Sequence, residues 1–252
     1  MKKTATACLL VIIASVGFAQ IGQAECQNSI YDIQTDIANH PNDTLQPTCG
    51  IITALRYNGF YLQEHADPGI NPNGEYSGIW VYVGPDPVTE YGVAVGDYVG
   101  VCGLRKEYFD LTELDIPAAL IYGYVLPNPD VGGPPPPLPP IYVTAAQVVA
   151  DGEVWESVRI TIVDGMQVPF GFDMGNGNWA VDALDGTALI FDDYWYDFAS
   201  VMEGQCYNNA TGIYYFGYGA FKLEPFVDGI PIVDCAVGTE AMSLGTIKAM
   251  FR

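Results

Sequence analysis

Positive charge is scarce in this chain. Lys and Arg together number 9, against 30 Asp and Glu, so the 252 residues carry a formal net charge of −21 at pH 7. An acidic protein of this kind repels phosphate backbones and anionic lipid head groups at long range. The composition therefore disfavours charge-driven binding of long nucleic acids. It does not indicate disorder, because 50% of the residues are hydrophobic and can build a core.

Sequence patterns typical of enzymes are also missing. The two histidines, His40 and His65, belong to no Ser/His/Asp order and no His-rich metal motif, and the sequence has no glycine-rich loop of the phosphate-binding type. His65 follows Glu64 and could act as a general base, but a single histidine in a polar loop is more often inert. The sequence therefore predicts no catalytic residue and no enzymatic activity.

The first 24 residues have the order of a secretory signal peptide. Two lysines precede an apolar run from Ala5 to Ala19, and small residues follow, ending at Ala24. The alternative is a retained membrane anchor, but the run is short for a span of about 20 residues. We therefore expect a mature chain without a transmembrane segment, secreted or held in the cell envelope.

A proline-rich stretch divides the rest of the chain. Pro127 and Pro129 precede a run from Gly132 to Pro140 that favours an extended polyproline conformation and a stiff spacer. The same run could instead serve as a ligand for an aromatic groove. The predicted organisation is a signal peptide (1–24), an N-terminal lead (25–46), a first unit (47–118), a Pro-rich linker (119–142), a second unit (143–236) and a C-terminal tail (237–252).

Both units are predicted to consist mainly of short strands. Period-2 patterns and glycine-containing turns predict five strands in the first unit, near 50–56, 59–63, 78–83, 98–104 and 108–114. In the second unit, Thr144 is a candidate N-cap of a short helix. Strand candidates follow the helix at 157–163, 179–182, 188–191, 212–215 and 220–223.

The two units resemble each other, which indicates a tandem repeat. Gly103 and Leu114 precede Gly212 and Leu223 by 109 residues. Each pair bounds a predicted strand and the aromatic-containing strand that follows it. A meander of three strands followed by a glycine-rich fourth and a fifth is typical of an OB-type barrel. The predicted fold class is all-β, with two tandem OB-like β-barrel units joined by the Pro-rich linker.

Five segments of the first unit form an ordered series: GIITA (50–54), GFYLQ (59–63), GIWVYVG (78–84), VGDYVGVCG (95–103) and LTEL (111–114). This series resembles the OB-fold domain of secreted bacterial nucleases of the endonuclease/exonuclease/phosphatase type. WESVRI (155–160) is similar to the start of the region that follows that domain. In those nucleases catalysis belongs to a separate downstream domain, so the resemblance implies a nuclease accessory domain and no activity.

An OB barrel binds ligands across its second and third strands and the flanking loops. Aromatic side chains on those strands, with nearby cations, suit stacking on bases or sugar rings. The alternative is that the aromatic side chains pack in the core and the cations merely sit at strand ends. The predicted ligand-binding residues are Arg56, Phe60, Trp80, Tyr82, Arg105 and Lys106.

The loop between the second and third strands is rich in oxygen ligands. Its candidate Ca²⁺ ligands are Asp67, Asn71, Asn73 and Glu75. Their spacing does not follow the EF-hand order, so an ordinary solvated loop is the alternative. We predict no other cofactor.

Five cysteines remain after removal of the signal peptide, and no two of them form a CxxC pair, which disfavours structural zinc. Disulfides are permitted in an exported chain. Because the first and fourth strands are neighbours in an OB barrel, the preferred bridge is Cys49–Cys102. Cys206–Cys235 would close the second unit and leave Cys26 free. The alternative is that these cysteines remain buried thiols.

The expected function is that of a secreted, non-catalytic binding or accessory module. Its ligand would be a short nucleic acid or a glycan, and a separate secreted enzyme is a further possible partner. The alternatives are a nuclease-related, metal-dependent hydrolase and an envelope structural protein. The last ten residues, from Ser243, are either a frayed helix or a sorting signal.

Overall fold

The computed structural model describes residues 26–116, 124–127, 136–233 and 235. The predicted signal peptide (1–24) and C-terminal tail (237–252) lie outside these residues, as does most of the predicted linker. Among the described residues, no helix is long and apolar enough to cross a membrane.

The first unit is a closed barrel. Its strands are β1 (Leu45–Arg56), β2 (Gly59–Gln63), β3 (Gly78–Tyr82), β4 (Tyr98–Tyr108) and β5 (Leu111–Asp115), followed by β6 (Tyr124–Pro127). Strands β1 to β5 pair in the order β1-β2-β3-β5-β4, and β4 returns to β1; β3 and β5 are parallel, and the other pairs are antiparallel. Strand β6, within the stretch assigned to the linker, pairs with the N-terminal half of β4.

The N-terminal lead packs against the core of this barrel. Helix α1 (Ile30–Thr35) buries Ile30 and Ile33 in the same apolar cluster as Phe60 of β2. Both carboxylate oxygens of Glu64 accept hydrogen bonds from the first turn of α1, each at 2.8 Å. A second short helix, α2 (Pro87–Tyr91), lies between β3 and β4.

One of the two predicted disulfides is wrong. Cys49 is bonded to Cys26, whereas Cys102 is buried in β4 and takes part in neither disulfide. The register of β1 and β4 places Cys102 opposite Pro47, two residues from Cys49. The N-terminal lead runs beside β1, as a bridge between Asn28 and Thr48 shows, and brings Cys26 to Cys49. Cys206 and Cys235 are bonded as predicted.

The second unit is a curled sheet, and the all-β prediction is confirmed. Its closure differs from that of the first unit: within the described residues β8 pairs only with β7 and β14, so the sheet stays open. Thr144 caps helix α3 (Ala145–Ala150) through a capping box. The strands are β7 (Tyr142–Val143), β8 (Val158–Ile162), β9 (Met166–Gln167), β10 (Asp173–Gly175), β11 (Asn178–Ala183), β12 (Ala188–Asp192), β13 (Cys206–Tyr207), β14 (Ala210–Gly217), β15 (Ala220–Pro225) and β16 (Ile232–Val233).

The two units share strand order and register. The order β2-β3-β5-β4-β1 is repeated as β11-β12-β15-β14-β8, with one parallel pair at the same place. Leu114 lies opposite Arg105 in the first unit, and Leu223 lies opposite Tyr214 in the second. The 109-residue offset seen in the sequence therefore relates equivalent positions of the β4–β5 and β14–β15 hairpins. This shared register supports the predicted tandem repeat.

Candidate ligand-binding groove between the two units

The predicted ligand-binding residues do not form one exposed surface. Phe60 is completely buried in the barrel core. Arg105 is 1% exposed, and its guanidinium group pairs with Glu107 at 2.6 Å and donates a hydrogen bond to the carbonyl oxygen of Ile33 at 3.0 Å. Because both side chains lie inside the protein, neither can contact a ligand in this structure.

The second unit covers the outer face of β2 and β3. Tyr61 and Trp80 are neighbours on that face, with ring centroids 4.7 Å apart, and both are buried against Ile213 of β14. We call this apolar contact the interunit cluster; its buried members are Ala54, Tyr61, Trp80 and Ile213, and Tyr82, Leu111, Trp195 and Phe226 pack around them. The aromatic face predicted to bind a ligand therefore holds the two units together instead.

Arg56 is enclosed by aromatic rings at the edge of the interunit cluster. It forms an ion pair with Glu224, whose side chain is fully buried. The guanidinium carbon lies 4.1 Å from the nearest ring centroid and 6.0 Å from the farthest of five, those of Tyr61, Trp80, Tyr194, Trp195 and Tyr215. Cation–π attraction and the ion pair both strengthen in a site removed from water. Arg56 is thus a structural link between the units.

The remaining predicted cation is also neutralised. Lys106 pairs with Asp115, and this contact raises the pKa of Lys106. Burial raises the pKa of the neighbouring Glu113 to about 7. The charged side chains on the outer face of β4 and β5 are therefore paired or partly buried, and few of their polar groups remain for a ligand.

An open groove lies beside the interunit cluster. It has a volume of about 370 Å³ and is bounded by residues of both units: Thr53, Ala54, Leu55, Val95, Arg159, Trp195, Phe226 and Asp228. We call it the interunit groove. The ring centroids of Trp195 and Phe226 are 5.4 Å apart, and the Arg159 guanidinium carbon lies 5.5 Å from the Phe226 centroid. Trp195 is half-buried and Arg159 is exposed.

The local structure fixes the walls of this groove. Phe226 follows the end of β15 and is held by a hydrogen bond from its backbone amide to the Thr211 carbonyl oxygen, at 3.0 Å. The backbone amide of Arg159 donates to Gln63 Oε1 of the first unit, at 2.9 Å. Trp195 lies in the bend after β12 and contacts both Tyr61 and Phe226. Contacts within and between the units therefore hold the backbone of Phe226 and Arg159 and the ring of Trp195 in place.

A second groove, of about 300 Å³, lies beside the Cys26–Cys49 disulfide. Several of its polar groups are already occupied, although His65 Nε2 is buried without a hydrogen-bond partner. Glu64 accepts two backbone hydrogen bonds, and Gln63 accepts the one from Arg159. None of its lining residues is a lysine or an arginine, so it lacks the cation beside aromatic rings that the interunit groove has.

The predicted Ca²⁺ ligands form a self-contained loop. Asn71 is buried, and its side chain accepts a hydrogen bond from the Asp67 amide and donates one to the Glu75 carbonyl oxygen. Glu75 accepts hydrogen bonds from the backbone and side chain of Asn73. Throughout the described part of the chain, no three His, Cys, Asp or Glu side chains are grouped as metal ligands.

The groove residues Arg159, Trp195, Phe226 and Asp228 were not predicted from the sequence. One signal was present: Tyr194-Trp195-Tyr196 is an aromatic triplet in an acidic loop segment. Such a segment has no strand or helix of its own in which to bury three rings. The sequence alone does not reveal which of the three faces solvent.

No protein-family model matches the chain, and no curated protein matches it. The resemblance to nuclease OB-fold domains stays a prediction. The interunit groove is the feature of the molecule that points to a function.

Proposed function

We propose that the protein is an exported, non-catalytic binding protein whose ligand lies in the interunit groove. The observation that supports this proposal is the aromatic wall formed by Trp195 and Phe226, beside the exposed guanidinium group of Arg159. Aromatic faces next to a cation favour ligands that carry rings and hydrogen-bond acceptors. The two disulfides fit an oxidising, extracytoplasmic environment.

The proposed site differs from the one expected for a single OB barrel. The second unit covers Tyr61 and Trp80, so a ligand would instead contact rings that the second unit supplies. Stacking on an aromatic side chain contributes about 1–3 kcal/mol per ring in nucleic-acid complexes. Contact with both Trp195 and Phe226 would therefore give a dissociation constant in about the millimolar range or somewhat tighter.

The test is retention of the protein on an array that carries short oligonucleotides and neutral oligosaccharides. We expect wild-type protein to be retained by at least one ligand class and Trp195→Ala to lose retention. Phe170→Ala is the matched control, since Phe170 is 87% exposed and does not line the groove. No retention of the wild type, or equal retention of Trp195→Ala, would refute the proposal.

A further inference from the structure

The charges at the interunit groove discriminate between ring-bearing ligands. Of its eight lining residues, Arg159 is the only base and Asp228 the only acid. The whole chain carries a net charge of −21, which opposes the approach of a phosphodiester chain. Proteins that bind single-stranded nucleic acid without sequence preference combine stacking rings with a positively charged groove along the backbone. One arginine and one aspartate among the lining residues do not supply such a groove.

The remaining groups of the groove suit a neutral polyhydroxylated ring. The ring faces of Trp195 and Phe226 carry partial negative charge and attract the weakly positive C–H groups of a sugar face. The Arg159 guanidinium is a donor only, and the Asp228 carboxylate is an acceptor, so together they match hydroxyl groups, which do both. Among the described residues, no ion pair engages either side chain.

The groove is small and open to solvent. Its volume of about 370 Å³ is near the lower end for small-ligand sites, and it is open along the boundary between the units. We infer that the interunit groove binds an uncharged glycan; this inference rests on the proposed binding function and assigns its ligand class.

Intrinsic fluorescence provides a direct readout, because the tryptophans differ in exposure. Trp80, Trp155 and Trp179 are buried to 6% exposure or less, whereas Trp195 is half-buried at the groove. The probes are neutral hexasaccharides (cello-, xylo-, malto- and chitohexaose) and hexathymidylate, each titrated at low and at physiological salt. We expect one neutral hexasaccharide to change the emission with an affinity that is independent of salt.

Calorimetry with the same hexasaccharide then tests whether Trp195 and Arg159 contribute to binding. Trp195→Ala should weaken binding by at least about fivefold. Arg159→Gln, at an exposed position with little risk to folding, should also weaken binding. Trp155→Phe is the matched control and should keep both the affinity and the emission change. Unaltered binding by Trp195→Ala and Arg159→Gln would overturn the inference.

The two proposals fail differently in this experiment. Binding of hexathymidylate alone, with a strong salt dependence, would overturn the glycan inference while the binding function stands. Absence of binding by any probe, together with no retention on the array, would overturn both.

Discussion

Glu156 lies buried at the boundary between the units, and its ionisation should control how stability depends on pH. Glu156 is 1% exposed. One of its carboxylate oxygens accepts a hydrogen bond from the Thr112 amide at 3.0 Å, and the other oxygen has no hydrogen-bond partner. Burial, reinforced by the charge of Glu153, raises the pKa of Glu156 to about 9. The native protein therefore holds a neutral carboxylic acid there at neutral pH.

The direction of the effect follows from proton binding. Between an unfolded pKa of about 4.3 and the native value, the folded state binds a proton that the unfolded chain has lost. The contribution of Glu156 to stability is therefore complete below pH of about 4 and falls as pH rises through about 9, by at most about 1.4 kcal/mol per pH unit. Glu64 and Glu113, whose pKa values burial raises to about 7, act in the same direction.

The measurement is urea unfolding of the wild type and Glu156→Gln from mildly acidic to mildly basic pH. Glutamine keeps an oxygen acceptor for the Thr112 amide but does not titrate. We expect the wild type to lose up to about 4 kcal/mol relative to the variant over about three pH units. Glu203→Gln, at an exposed position, is the control and should follow the wild type. Parallel pH curves for the wild type and Glu156→Gln would refute this reasoning.

Three further predictions concern the contacts that hold the fold together. Arg56→Met should lower the free energy of urea unfolding by about 3–5 kcal/mol, because it leaves Glu224 charged and buried. Adding Glu224→Gln should restore part of this loss. Equal stability of the single and the double variant would contradict this expectation. Gly78→Ala should lower the melting temperature, because its Cβ would lie 2.2 Å from a backbone oxygen of the second unit; an unchanged melting curve would contradict the close packing. Peptide mapping without reduction should recover Cys26 joined to Cys49, and any other partner for Cys49 would contradict the structure.

The five barrel strands of the first unit and their five counterparts in the second could be predicted from the sequence. The six other strands (β6, β7, β9, β10, β13 and β16) and the faces that the strands bury could not. In β2, Phe60, Tyr61 and Leu62 are all buried, so alternation between apolar and polar residues is lost. Phe60 and Leu62 face the barrel core, whereas Tyr61 faces the second unit. A period-2 pattern shows which residues share a face and does not show that both faces are covered. The aromatic surface was therefore predicted to be open when it is an internal contact.

Non-local contacts account for the other differences. In the sequence, nothing distinguishes Arg105 from an arginine on the exposed face of a strand. Its buried position depends on helix α1, which provides the Ile33 carbonyl oxygen that Arg105 binds. The Cys26–Cys49 disulfide depends on the path of the N-terminal lead beside β1. Cys206–Cys235 was predictable because both cysteines belong to the same unit, where few other pairings exist.

The contact between the units also constrains the order of events during synthesis. Chains fold from the N-terminus as they emerge, so the barrel of residues 45–115 is complete before β14, which begins at Ala210, is available. Until then Tyr61 and Trp80 form an exposed apolar strip of the kind that promotes aggregation. A fragment that ends within the proline-rich stretch would leave Tyr61 and Trp80 uncovered, and we expect such a fragment to aggregate more readily than the full chain.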